Sequence, residues 1–228
     1  MATIFKNRID AGQRLAEALS WLKLESTGEM LRQEVIVIAI PRGGIIIGDV
    51  IASELEVKLD IVVSKKIGSP SNSEYAVGAV MPDGTYILNK GYQGDLHGLT
   101  EYIQTKAHEQ FKEINRRLLA YRGSIEYNNE FEGRTVVLVD DGIATGATIT
   151  ASAQWIKNKY RCKQLVISAP LAPAEAIPDL YKIVDKVVVL HTPEPFIAIG
   201  RFYAEFDQVT DDEVKKIMKK YGYTVGQC

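Results

Sequence analysis

Short apolar runs alternate with amphipathic stretches along this chain, in strand–helix order. Val35–Ile40 (VIVIAI) is too short for a typical helix and rich in β-branched residues, which predicts a buried strand. Ile61–Val63, Val136–Val139, Leu165–Ser168 and Val187–Leu190 read the same way. None alternates polar with apolar residues, the pattern of parallel strands covered on both faces. Asp10 is placed to cap a helix carrying Leu15, Leu19 and Leu22. Further helices are predicted over Gly44–Leu55, Gly146–Tyr160 and Pro173–Tyr181. The order predicts an α/β chain with a doubly wound, mainly parallel sheet.

One region departs from that order. Ala76–Leu88 (AVGAVMPDGTYIL) sets Pro82, Asp83 and Gly84 between two β-like runs, which predicts a hairpin. Ile103, Ala107, Phe111, Ile114, Leu118 and Tyr121 then recur at steps of four and three, one amphipathic helix over Thr100–Tyr121. Residues 122–133 read as a polar connector. A single domain over residues 1–228 is expected. The hairpin and helix, about 68–131, form an insertion or flap in it, and the C-terminal part, about 191–228, a small hood.

Composition adds exclusions. The 228 residues are 46% hydrophobic and 25% charged, ordinary globular values. A formal net charge of −2, with no basic tail, gives no reason to expect nucleic acid or an anionic membrane as partner. Cys162 and Cys228 are too few and too far apart for a disulfide framework or a CxxC metal site. They read as reduced thiols of a cytoplasmic protein. The N-terminus, MATIFKNRIDAG, has no apolar core like that of a signal peptide. Pro41, Arg42 and glycines interrupt the longest apolar stretches, so no membrane span is expected.

The candidate chemistry lies in residues 136–148, VVLVDDGIATGAT. Asp140 and Asp141 fall at the carboxyl end of a predicted strand, where open α/β sheets bind ligands. The small residues after them lead into a helix and offer backbone N–H groups, together with the hydroxyls of Thr145 and Thr148. That is a phosphate cradle. Two acids beside a bound anion make sense if the ligand carries hydroxyls next to its phosphate, as a sugar phosphate does. Helix capping alone would account for one acid, not two followed by TGAT. The stretch has neither GxxxxGK[ST] nor GxGxxG.

This stretch resembles the phosphoribosyl pyrophosphate (PRPP) motif of type I phosphoribosyltransferases, an apolar strand followed by two acids and xxxTGxT. PRGG, SKKIGSPSNSEYAVGAV and TPEPFIAIGRFYAEF extend the resemblance to bacterial and archaeal phosphoribosyltransferase-like proteins, over roughly Phe5 to Val214. The resemblance implies the type I phosphoribosyltransferase fold. It implies ribose binding by Asp140 and Asp141, and 5-phosphate binding by Ala144, Thr145, Gly146, Ala147 and Thr148. Pyrophosphate falls to Arg42, Gly43, Gly44, Lys65, Lys66 and Tyr75, and the loop Ser69–Ser73 is the expected lid. A solvated lysine pair beside a surface loop is the plainer reading of Lys65 and Lys66. The residues implied in catalysis are Arg42, Lys65, Lys66, Asp140 and Asp141.

Mg²⁺ is the implied cofactor, held mainly by PRPP with no direct protein ligand. Phe196 is the first candidate to stack on a planar acceptor, followed by Phe202, Tyr203 and Glu205. Core packing explains the aromatics equally well. His191 could touch the acceptor or be structural. Hypoxanthine-guanine enzymes of the family carry an acid immediately before the TG. This chain has Ala144 there, as adenine-type enzymes do, so the loop supplies no evident general base.

The expected activity is transfer of a phosphoribosyl group from PRPP to a nitrogenous base, purine-like, with a homodimer expected. A non-catalytic PRPP- or nucleotide-binding regulator and a hydrolase on the same scaffold stay open.

Overall fold

The computed structural model describes residues 3–25, 28–70, 76–89, 98–128 and 130–226. After α1 (Arg8–Ala18) come two short helices, α2 (Leu22–Glu25) and α3 (Gly28–Glu34), then β1 (Val35–Ala39), α4 (Gly44–Leu55) and β2 (Lys58–Ile61). The strands β3 (Lys65–Gly68), β4 (Ala76–Val80) and β5 (Tyr86–Leu88) follow, and then the long helix α5 (Thr100–Arg122). The remainder is β6 (Thr135–Val139), α6 (Ala147–Lys159), β7 (Gln164–Leu171), α7 (Ile177–Tyr181), β8 (Lys186–His191) and α8 (Asp211–Lys220).

Five strands form a parallel sheet in the order β2-β1-β6-β7-β8. The chain thus starts in the interior, at β1, steps outward to β2, then returns to β1's other side at β6. Right-handed crossovers leaving in opposite directions put α4 and α6 on opposite faces. Both β1 and β6 are buried along their whole length, because helices cover both faces. β8 is an edge strand and only half-buried, although its central run Val187–Leu190 is as apolar as β1.

Several local expectations shift. Asn7, not Asp10, caps α1: its side chain accepts the N–H groups of Ile9 and Asp10, and Asp10 lies inside the first turn. Leu22 begins the separate helix α2. β2 ends at Ile61, and Lys65 and Lys66 do not end a strand of the main sheet. They open β3, which pairs antiparallel with β4 to make the expected hairpin a three-stranded sheet, β3-β4-β5. The amphipathic stripe of α5 follows the expected positions, with Ile103, Ala107, Ile114, Leu118 and Tyr121 buried and Phe111 half-buried.

The segment after α5 is not simply polar. Tyr127 and Phe131 pack edge-on with Trp155, and Phe131 also with Tyr160. Arg122, the last residue of α5, reaches the fully buried Asp60 on β2 with two hydrogen bonds, 2.6 and 2.8 Å long. Its Nη1 donates to the carbonyls of Ser124 and Glu126, at 3.0 and 2.8 Å, and its guanidinium lies 4.2 Å from the Tyr127 ring centroid. A forked guanidinium can satisfy all these acceptors at once, which lets a charge pair sit in the interior. This pair ties α5 to the sheet.

Removing one partner strands the other as an uncompensated buried charge. Arg122→Met is therefore expected to lower unfolding stability by about 3–5 kcal/mol. Chemical denaturation checks this, and a loss below about 1 kcal/mol would mean that Asp60 finds another partner.

Candidate functional site

Ala39 of β1 lies opposite Val139 of β6, so the two strands end side by side. Residues 41–44 and 140–148 leave that common end. The strand order reverses at this point of the sheet, and the crevice beyond such a reversal is where open α/β sheets hold ligands. The PRGG turn and the acid loop are pressed together. A Cβ on Gly43 would collide with the Asp141 carboxylate, and one on Gly44 would stand 2.9 Å from the Val139 carbonyl oxygen and 3.0 Å from Asp140 Cα.

Asp140 Oδ1 accepts the N–H of Asp141 at 2.8 Å. Burial pushes the Asp140 carboxyl well above the usual carboxylate range, and the adjacent Asp141 charge adds to the shift. Burial raises Asp141 as well, and Arg8 opposes it. Arg8 Nε donates to Asp141 Oδ2 at 2.8 Å, Nη1 donates to the Asp207 carbonyl at 2.8 Å, and the guanidinium lies 3.7 Å from the Phe206 ring centroid. Tyr203 donates its hydroxyl to the Asp141 carbonyl at 2.8 Å. The chain start and the segment after β8 thus hold the second acid between them.

Gly146 caps α6 at φ +73°, a left-handed conformation that suits glycine. Thr145 Oγ1 accepts the Ala147 N–H at 3.4 Å. A cavity of about 190 Å³ is lined by the run Asp140 to Ile149 and by Ile199. It brings together both acids, Ala144 through Thr148, and the first turn of α6, whose N–H groups lack intrahelical acceptors.

Other expected residues lie outside the lining of that cavity. Arg42 Nη1 is 3.2 Å from Asp211 Oδ1, an oxygen that also accepts the Tyr121 hydroxyl at 2.7 Å. Lys65 is half-buried and Lys66 exposed at the start of β3. Tyr75, and the lid residues after 70, lie outside the described residues. Phe196 is half-buried against Phe202, with ring centroids 5.5 Å apart. Phe202 and Tyr203 are interior residues, 2% and 5% exposed, so neither offers a free ring face. His191 is exposed at the end of β8 and packs edge-on to Phe5. Glu205 accepts from Asn7 Nδ2 at 3.1 Å. Sequence reasoning missed Arg8 and Asp211. Arg8 looks like any polar residue of an amphipathic helix, and Asp211 like one more acid in the first turn of α8.

Comparisons with known proteins bear on the family and the fold. A family model for the phosphoribosyl transferase domain matches residues 7–199. Two curated relatives, from Mycobacterium tuberculosis strains CDC 1551 and H37Rv, are each named "Putative phosphoribosyl transferase". Each is 34% identical over 211 residues, covering 92% of this chain and 45% of the relative, so the chain spans about half the length of the curated relatives it matches. The crystal structure of TT1426 from Thermus thermophilus superposes with a TM-score of 0.76 at 33% identity. That superposition covers 95% of this chain and 98% of the other.

The raised Asp140 carboxyl has a consequence for stability. A group whose folded-state pKa is raised stabilises the fold at low pH and loses that contribution as pH rises through the raised value. Asp140→Asn removes the penalty and keeps an oxygen for the Asp141 N–H. Its melting temperature is expected to exceed that of the wild type by a few degrees at neutral pH. The gain should vanish below pH ~3.9, where the carboxyl is protonated in both states. Melting curves across that range check the sign, and a less stable variant at pH 7 contradicts it.

Proposed function

The chain belongs to the phosphoribosyl transferase domain family, with the fold of the type I enzymes, and on that premise we propose a Mg²⁺-dependent phosphoribosyltransferase. It would move the 5-phosphoribosyl group of PRPP to a nitrogenous base, purine-like, and release pyrophosphate. One observation carries the reading: the PRGG turn and the acid loop adjoin at the reversal of the strand order, with a loop of small residues at a helix start beside two acids.

In this reading Asp140 and Asp141 accept hydrogen bonds from the ribose 2- and 3-hydroxyls. Ala144 through Thr148 hold the 5-phosphate with backbone N–H groups and two hydroxyls. Arg42, Gly43, Gly44 and Lys66, with Tyr75, receive the pyrophosphate. Phe196 and the exposed Ile197 near it are the surface offered to a planar acceptor. The work is electrostatic: the site holds the sugar, neutralises the leaving group and keeps water away from the anomeric carbon.

The acid pair offers hard carboxylate oxygens that suit Mg²⁺. Among the described residues no group of three or more His, Cys, Asp or Glu side chains forms a metal cage. The ion would take its ligands chiefly from PRPP, and when bound it neutralises charge on the pyrophosphate. Arg8 already occupies one oxygen of Asp141, so it sets how that carboxylate is presented to a sugar hydroxyl.

The test is pyrophosphate release from PRPP with Mg²⁺, screened against single nucleobases and a no-base control. Release that requires one base identifies the acceptor and supports the transferase. Release without a base supports a hydrolase. Binding of PRPP without release supports a regulator. In calorimetry, Asp140→Asn combined with Asp141→Asn is expected to abolish PRPP binding in a folded protein, and retained heat would remove the acids from the ribose role.

A further inference from the structure

Beyond the acid loop, a second set of charges gathers on the insertion helix. Glu113, Arg117 and Tyr121 follow one another at i, i+4 on α5, about 6 Å apart along the axis, and share a face. Tyr121 donates to Asp211, which also pairs with Arg42 of the PRGG turn. Arg117 Nε donates to Glu113 Oε1 at 2.7 Å, and Arg116 grips the same carboxylate with two hydrogen bonds, 2.7 and 3.0 Å long. The strand β3, which begins with Lys65, packs on this helix.

Lys65 is the informative residue. It is half-buried, and its ammonium makes no hydrogen bond or ion pair among the described residues. Burial lowers its pKa, and Arg117, Arg116 and Arg42 lower it further, opposed by Glu113. Four cations therefore gather around two carboxylates, Glu113 and Asp211. Partly desolvated like charges repel unless an anion joins them. Forked guanidinium groups in this number suit a ligand with several adjacent phosphate oxygens. In the proposed reading a single phosphate has its cradle at Ala144–Thr148, in the other loop.

We propose that Arg116 and Arg117 of α5 extend the diphosphate subsite expected at Arg42 and Lys65, and that Asp211 stands in for the ligand on Arg42 until a diphosphate displaces it. The proposal rests on the phosphoribosyltransferase reading and deepens it. Part of the charge that receives the leaving group would come from α5, and the first turn of α8 would guard the site. The occupant is a small diphosphate rather than a polyanionic chain, because Glu113 and Asp211 interrupt the basic surface within one or two helical turns.

Calorimetric titration of the full chain with inorganic pyrophosphate and Mg²⁺ tests this, with ribose 5-phosphate as the control ligand. R116Q/R117Q is expected to weaken pyrophosphate binding at least about tenfold and leave ribose 5-phosphate within about twofold. R116K/R117K should recover part of the loss. K65Q breaks no ion pair among the described residues, so it gives the same selective loss without disturbing the helix. D211N should tighten pyrophosphate binding about threefold or more, by removing the competing carboxylate.

Pyrophosphate affinity within about twofold of the wild type in both R116Q/R117Q and K65Q overturns the subsite, as does an equal loss for the two ligands. An unchanged affinity in D211N overturns the displacement. A wild type that binds ribose 5-phosphate but no pyrophosphate overturns this inference and leaves the acid loop's role intact. Binding of neither ligand overturns both.

Discussion

Gly43 has an ordinary right-handed backbone conformation, φ −61° and ψ −41°, which any residue can adopt. What forbids a side chain there is the Asp141 carboxylate, which occupies the space a Cβ would need. Gly44 is confined in the same way by the backbone at Val139 and Asp140. The rest of the site depends on this close approach. It brings two loops from distant parts of the chain to one crevice. It also takes water from the two acids, which raises both carboxyls and makes them sensitive to what lies beside them. A bulkier turn at 43–44 would separate the loops and leave a pair of ordinary surface carboxylates.

Both ends of the chain answer the charges so exposed. Arg8, from the first helix, takes one oxygen of Asp141, and Asp211, from the last helix, takes Arg42. Arg8 is also stacked on Phe206, and Tyr203 secures the Asp141 backbone from the same side. Without such partners, half-buried charges would destabilise the free protein. With them, ligand binding becomes an exchange of one set of charge-assisted hydrogen bonds for another. Affinity at such a site is the difference between two pairings, so it depends on residues that never touch the ligand. Deeper in the core, Arg122 and Asp60 fasten α5 to the sheet, and through it Tyr121 and Arg117 keep their place beside Arg42.

The secondary structure was readable wherever one physical demand dominated. VIVIAI and VVLV are unbroken because β1 and β6 are covered on both faces, and the stripe of α5 is regular because one face packs inward. Reading failed where neighbours decide. Val187–Leu190 looks as buried as β1, yet β8 ends the sheet and stays half-exposed. Lys65 and Lys66 look like the end of a parallel strand, but the main-sheet strand ends at Ile61 and Lys65 starts a second sheet. Phe202 and Tyr203 look available to a planar ligand, whereas packing against Phe196, Phe5 and Phe206 takes both into the interior. Asp10 and Asn7 are both good caps, and only the direction from which the chain enters α1 selects Asn7.

The sequence by itself determined the chemistry of each segment: two adjacent acids after an apolar strand, a loop of small residues at a helix start, and an arginine beside two glycines. Local sterics and hydrogen-bonding capacity dictate those features, so they can be read from neighbouring residues. Tertiary structure alone decided which segments meet. The order β2-β1-β6-β7-β8 sets PRGG beside the acid loop, and the packing of α1, α5 and α8 brings Arg8, Arg117 and Asp211 to them. Arg8 and Asp141 are 133 positions apart, and Arg42 and Asp211 169. No local pattern encodes a contact over such separations, because burial of the whole core fixes it.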